Sequence, residues 1–159
     1  MSAEHPSKPH PPGETTGTSE RAPQRLAAPV LAFDLAHEVA RLHEQAAWQH
    51  GDRNAKTLVK EPDFRIVLIT LRTGARMEEH RAAGRISVQT LVGHVRLHTA
   101  GTNVDLPVGR LVSLERDVPH AVEALEESAF LLTIAWQGAH DDTAERGEIL
   151  GDVPGAKAR

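Results

Sequence analysis

Cysteine is absent from this 159-residue chain. That excludes disulfide scaffolds, zinc fingers, iron–sulfur sites and thiol catalysis. Tyrosine is absent too, and with 3 Phe and 2 Trp the core has to be built mainly from aliphatic side chains. Charge of one sign is scarce: 18 Lys and Arg against 22 Asp and Glu leave a formal net charge of -4. Such mild acidity offers no electrostatic footprint for nucleic acid or an anionic membrane surface. No apolar run reaches the ~18 residues of a membrane-crossing helix. Met1-Ser2-Ala3-Glu4-His5-Pro6 carries neither the basic nor the apolar region of a secretory signal, so a cytoplasmic location is expected. Gly-x-Ser-x-Gly and Gly-x-Gly-x-x-Gly are both missing, which leaves a serine hydrolase and a nucleotide enzyme without support. What the chain does have is histidine, 10 residues of it.

Composition divides the chain into four stretches. Residues 1–29 hold Pro6, Pro9, Pro11, Pro12, Pro23 and Pro29 and almost no large apolar side chain. Burial there cannot offset ordering entropy, so a disordered, dispensable tail is expected. Residues 30–55 read as a helix and linker. Asp34 is placed to cap it, and Leu35, Val39, Leu42 and Ala46 recur at helical spacing over 34–47. Residues 56–136 have the period of strands, and residues 137–159 read as a polar C-terminal tail.

In the strand region, Phe64 to Leu71 is apolar on both faces, as in a strand covered on both sides. That second face is more than a barrel interior needs, and it predicts a homodimer. Ile86 to Val92 alternates, with Ile86, Val88 and Thr90 on one face and Ser87, Gln89 and Leu91 on the other. Turn signals at Gly93-His94, Ala100-Gly101, Pro107-Val108-Gly109 and Glu126-Glu127 separate short strands at 95–99, 104–106, 111–114, 120–125 and 130–136. Strands of this length and spacing predict an all-β fold, a small antiparallel β-barrel with one flanking N-terminal helix.

Two histidines stand out by position. His80 follows Gly74 and His120 follows Gly109, each placed at the entrance of a strand. Imidazoles meeting inside a barrel suit Fe, Ni, Zn, Mn or Cu; the bland alternative is that each His only ends a strand. The stretch from Gly74 to Ala124 resembles the cupin superfamily. The first cupin motif runs from Gly through two His and a Glu to a closing Gly, and Gly74, His80 and Gly93 match it. The second opens on Gly and reaches His, as Gly109 and His120 do here. With the flanking strands the resemblance spans about 56–136. It departs from the pattern where the second His falls on Ala82, the Glu on Ile86, the Pro and Gly of the second motif on Glu115 and Asp117, and the Asn on Ala124.

The resemblance implies a double-stranded β-helix and a small-molecule ligand in the barrel. It carries over His80 and His120 as metal ligands, for a divalent Fe, Ni, Zn or Mn. Gln89 takes the Glu's place only through a bulge, since it lies on the face opposite Ile86. His98, on a polar face with His94 and Arg96, is another candidate to complete the set. Arg85 and Arg81 flank Gly84 beside His80, where a guanidinium suits a carboxylate or phosphate, or simply a solvated edge. Three functions remain: a small-molecule-binding single-domain cupin with no assignable reaction, a metal-dependent dioxygenase or isomerase, and an interaction module acting through its tail and dimer surface. The first is preferred, with a small molecule as partner and neither nucleic acid nor membrane.

Overall fold

A computed structural model describes residues 29–137. The expected N-terminal tail, save Pro29, and the C-terminal tail beyond Gln137 lie outside the described residues. The chain runs α1 (Leu35–Glu44), α2 (Ala46–His50), β1 (Arg53–Lys60), β2 (Phe64–Leu71), β3 (Arg76–His80), β4 (Arg85–Val92), β5 (His94–Thr99), β6 (Asn103–Pro107), β7 (Leu111–Leu114), β8 (His120–Ala124) and β9 (Ser128–Ala135). A five-stranded sheet has the order β1-β2-β9-β4-β7, and a four-stranded sheet the order β3-β8-β5-β6. Neighbouring strands are antiparallel throughout. The two sheets pack face to face and do not close into one hydrogen-bonded cylinder, which refines the expected barrel.

Between the sheets lies the main core. Val67, Ile69, Val88, Phe130, Leu132 and Ile134 come from the larger sheet and Met77, Val95, Leu97, Leu106 and Val122 from the smaller. Phe130 sits at its centre, 1% exposed. It is the one large ring in a core otherwise filled by aliphatic side chains, as the composition requires.

Sequence and structure part at the helix. The expected single helix is two segments, because Gln45 is extended and its N–H returns to the Leu42 carbonyl. Buried Asn54 explains the break: its amide donates to the Leu42 carbonyl at 2.9 Å and to Gln45 Oε1 at 3.1 Å. A strand side chain thus adds a second, shorter bond to a carbonyl that the helix end leaves with only the Gln45 N–H at 3.4 Å. At the other end Asp34 accepts from the His37 N–H at 3.1 Å. Asp34→Ala should cost ~1 kcal/mol of stability. Urea unfolding checks this; an unchanged midpoint would mean that packing alone sets the start of α1.

The same helix packs on the second face of β2. Val39 and Leu42 pack with Leu58, Leu68 and Ala129, on the side of the large sheet away from the main core. Lys56 and Glu38 join strand to helix at 2.6 Å. The helix therefore covers Leu68 in the middle of that apolar face, while Ile66 stays partly buried and Phe64 exposed. Among the described residues no helix is long and apolar enough to cross a membrane.

Candidate functional site

Strand β3 was not visible in the sequence. Arg76-Met77-Glu78-Glu79-His80 has one apolar residue, since this is an edge strand and only Met77 reaches the core. His80 therefore ends a strand and does not begin one, whereas His120 opens β8 as expected. The two strands are hydrogen-bonded neighbours. Met77 pairs with Val122 and His80 with His120, so three steps along β3 match two along β8. That extra residue is a β-bulge. It puts His80, and not Glu79, on the core-facing side of the strand.

The two rings meet edge to face, with centroids 4.4 Å apart and planes at 60°. Each is fixed in the same way. His80 Nδ1 lies 2.9 Å from the Glu78 carbonyl, and His120 Nδ1 lies 2.8 Å from the Val118 carbonyl. A carbonyl only accepts, so Nδ1 carries the hydrogen in both rings and a neutral ring presents a lone pair at Nε2. Neither Nε2 has a hydrogen-bond partner among the described residues. Thr99 pairs with His120 from β5 and lies in the same layer of the sheet.

Burial holds the His120 imidazole below its ordinary pKa, and the neighbouring His80 adds to this, against the Val118 carbonyl and the Glu79 carboxylate. The unfolded chain therefore takes up the proton first. Stability should fall as pH drops from about 7.5 through the ordinary imidazole range near ~6.5, and level off below the depressed folded value. His120→Phe should flatten that slope. Denaturant unfolding at a series of pH values measures it, and an equal slope in the variant would assign the effect to other groups.

On the large sheet, the start of β2 and the residue that follows β9 also turn toward the core. Arg65 alternates with Val67 and Ile69, which places it on the core-facing side, 8% exposed. Its guanidinium lies 5.4 Å from the centre of the Trp136 ring, which itself packs against the main core. Neither residue was singled out for the site in the sequence. The period-2 continuation from Val67 to Arg65 and from Ile134 to Trp136 was the available signal.

The other candidates are elsewhere. Gln89 pairs with Leu131 and Leu111, and the register from Arg85 to Thr90 is regular, so no bulge turns it inward. It stays on the outer face of the large sheet. Arg85 shares that face and pairs with Glu115 at 2.7 Å, both side chains exposed. His98 is on the outer face of the small sheet, between Glu123 Oε2 at 2.7 Å and Asn103 Oδ1 at 2.9 Å. Arg81 donates to the Asp117 carbonyl at 3.0 Å and ties the His80 loop to the loop before His120.

No family model matches the chain, and no curated protein does. Solved structures do. A cupin-2 domain protein from Shewanella frigidimarina matches with TM-score 0.54 at 12% identity, over 65% of this chain and 94% of that one. A cupin superfamily protein from Desulfitobacterium hafniense gives 0.52 at 15% identity, over 53% and 77%. The chain has the cupin fold. A variant of salicylate 1,2-dioxygenase from Pseudoaminobacter salicylatoxidans shares that fold, with TM-score 0.57 at 17% identity, over 65% of this chain and 34% of the dioxygenase.

Metal-binding cupins set the test for the imidazole pair. A catalytic site for a divalent ion wants about three protein donors and a structural one about four. His80 and His120 are two, and no group of three His, Asp or Glu comes together among the described residues. The described donors do not fit a resident divalent ion.

Proposed function

We propose that this chain is a small-molecule-binding cupin whose ligand meets His80 and His120. One observation carries the reading: two core-facing imidazoles, each locked through Nδ1 and each with Nε2 unengaged among the described residues. Neither nitrogen is among the buried polar atoms left without a partner, so both stay open to water, which a bound ligand can replace. Both rings come from one chain, so the site needs no second copy. No reaction is assigned.

The metal-dependent reading, a dioxygenase or isomerase with His80 and His120 as ligands, has one feature in its favour. An Nδ1–H held by a carbonyl is how metal-binding imidazoles are oriented. It asks for a third donor from outside the described residues. Metal analysis of untagged protein, with ligand binding by His80→Phe and His120→Phe, tests both readings. The binding reading expects sub-stoichiometric metal and loss of small-molecule binding in both variants. Stoichiometric Fe, Ni, Zn or Mn that disappears with either imidazole would replace it with the metal reading.

A further inference from the structure

The imidazole pair has a chemical preference that its hydrogen bonding sets. We propose that His80 and His120 form a twin acceptor for two neighbouring hydroxyl groups of a neutral organic ligand. The inference rests on the binding reading above and narrows its ligand class.

Both rings spend their hydrogen on a backbone carbonyl, at 2.9 Å for His80 and 2.8 Å for His120. What each neutral ring then offers is an acceptor. No hydrogen bond joins the rings, whose centroids are 4.4 Å apart. Two O–H groups on adjacent carbons, each reaching one Nε2 over ~2.8 Å, would serve both acceptors with one ligand. The charge nearby points the same way. The Glu79 carboxylate acts on His120, and two lone pairs in its field favour O–H donors over an anion. A divalent ion would use the same lone pairs, but it lacks a third donor among the described residues.

Catechol is a rigid, uncharged probe with two adjacent hydroxyls, and its dimethyl ether keeps the shape without the donors. The full chain, stripped with EDTA, would be titrated with each while long-range proton–nitrogen spectra follow the histidine ring nitrogens. The expected result is hydrogen on Nδ1 and a bare Nε2 in both rings at neutral pH. Catechol should shift both Nε2 signals and bind at least tenfold more tightly than the ether. His80→Phe, at a half-exposed position, should lose at least tenfold in catechol affinity. Equal affinity for the two probes overturns the inference, and that comparison needs no variant. So does hydrogen on Nε2, or one equivalent of Zn2+ held through both nitrogens after dialysis. If catechol leaves core-facing signals such as those of Val88 and Leu97 unmoved while other small molecules shift them, this inference falls and the binding reading stands. If no small molecule moves them, both fall.

Discussion

Phe130→Ala should cost ~3–5 kcal/mol, the range for removing a buried ring. The residue is 1% exposed and sits in the core between the two sheets, flanked across its strand by Ile69 and Thr90. Domains of this size are stable by only ~5–15 kcal/mol, so the variant would stand near the edge of folding. The reason lies in composition. With no Tyr and three Phe in the chain, Phe130 is the one aromatic among the buried residues of that core, and Trp136 is only partly buried against it. Urea unfolding followed by circular dichroism gives the number. A loss below about 1 kcal/mol would mean that the sheets close over the gap, against the usual cost of a cavity.

Gly93→Ala should be the next most damaging change, although it adds one methyl group. Gly93 has φ +73 and turns the chain from β4 in the large sheet to β5 in the small one. A Cβ there would lie 2.2 Å from the Glu127 carbonyl oxygen and 2.5 Å from Ser128 Oγ. Neither can withdraw easily: Ser128 Oγ accepts from the His94 N–H at 3.0 Å and donates to the Glu126 carbonyl at 2.7 Å. Strain of this backbone kind costs ~1–3 kcal/mol, and the clash adds to it. Gly109→Ala is the control. Its φ is +84, yet nothing lies within 4 Å of the added carbon. The difference between the two unfolding free energies isolates the collision from the left-handed backbone. Equal losses would mean that the turn after Gly93 shifts to make room.

The glycines also show what was legible beforehand. Gly74, Gly93 and Gly109 were picked out by the cupin motifs, and they are the glycines of positive φ among the described residues. A motif glycine is a backbone requirement, and it survives where ligand residues have changed. Period 2 likewise gave β2 and β7 with their bounds, because both alternate or fill their faces with branched side chains. Edge strand β3 escaped because most of its side chains meet water, and the helix break escaped because its cause, Asn54, lies in another element. Parity had already put Gln89 on the wrong face, and the regular register of β4 kept it there. His80 and His120 were chosen by spacing from a glycine. What brings them together is a bulge, and nothing in Glu78-Glu79 announces one.

That bulge is also a heritable feature. One in-frame codon, the one for Glu78, separates the bulged pairing from a regular one. Without it β3 would pair in step with β8 from Met77 onward, Glu79 would stand opposite Ala121, and His80 would still stand opposite His120. A chain lacking Glu78 should show His120 titrating as in the parent, since the neighbouring imidazole is kept. NMR titration reads this directly, and a raised midpoint would mean that the Glu79 carboxylate had taken the facing position. A lineage carrying this fold could therefore lose the bulge in a single deletion and keep its pair of acceptors, with every other residue of the barrel left as it was.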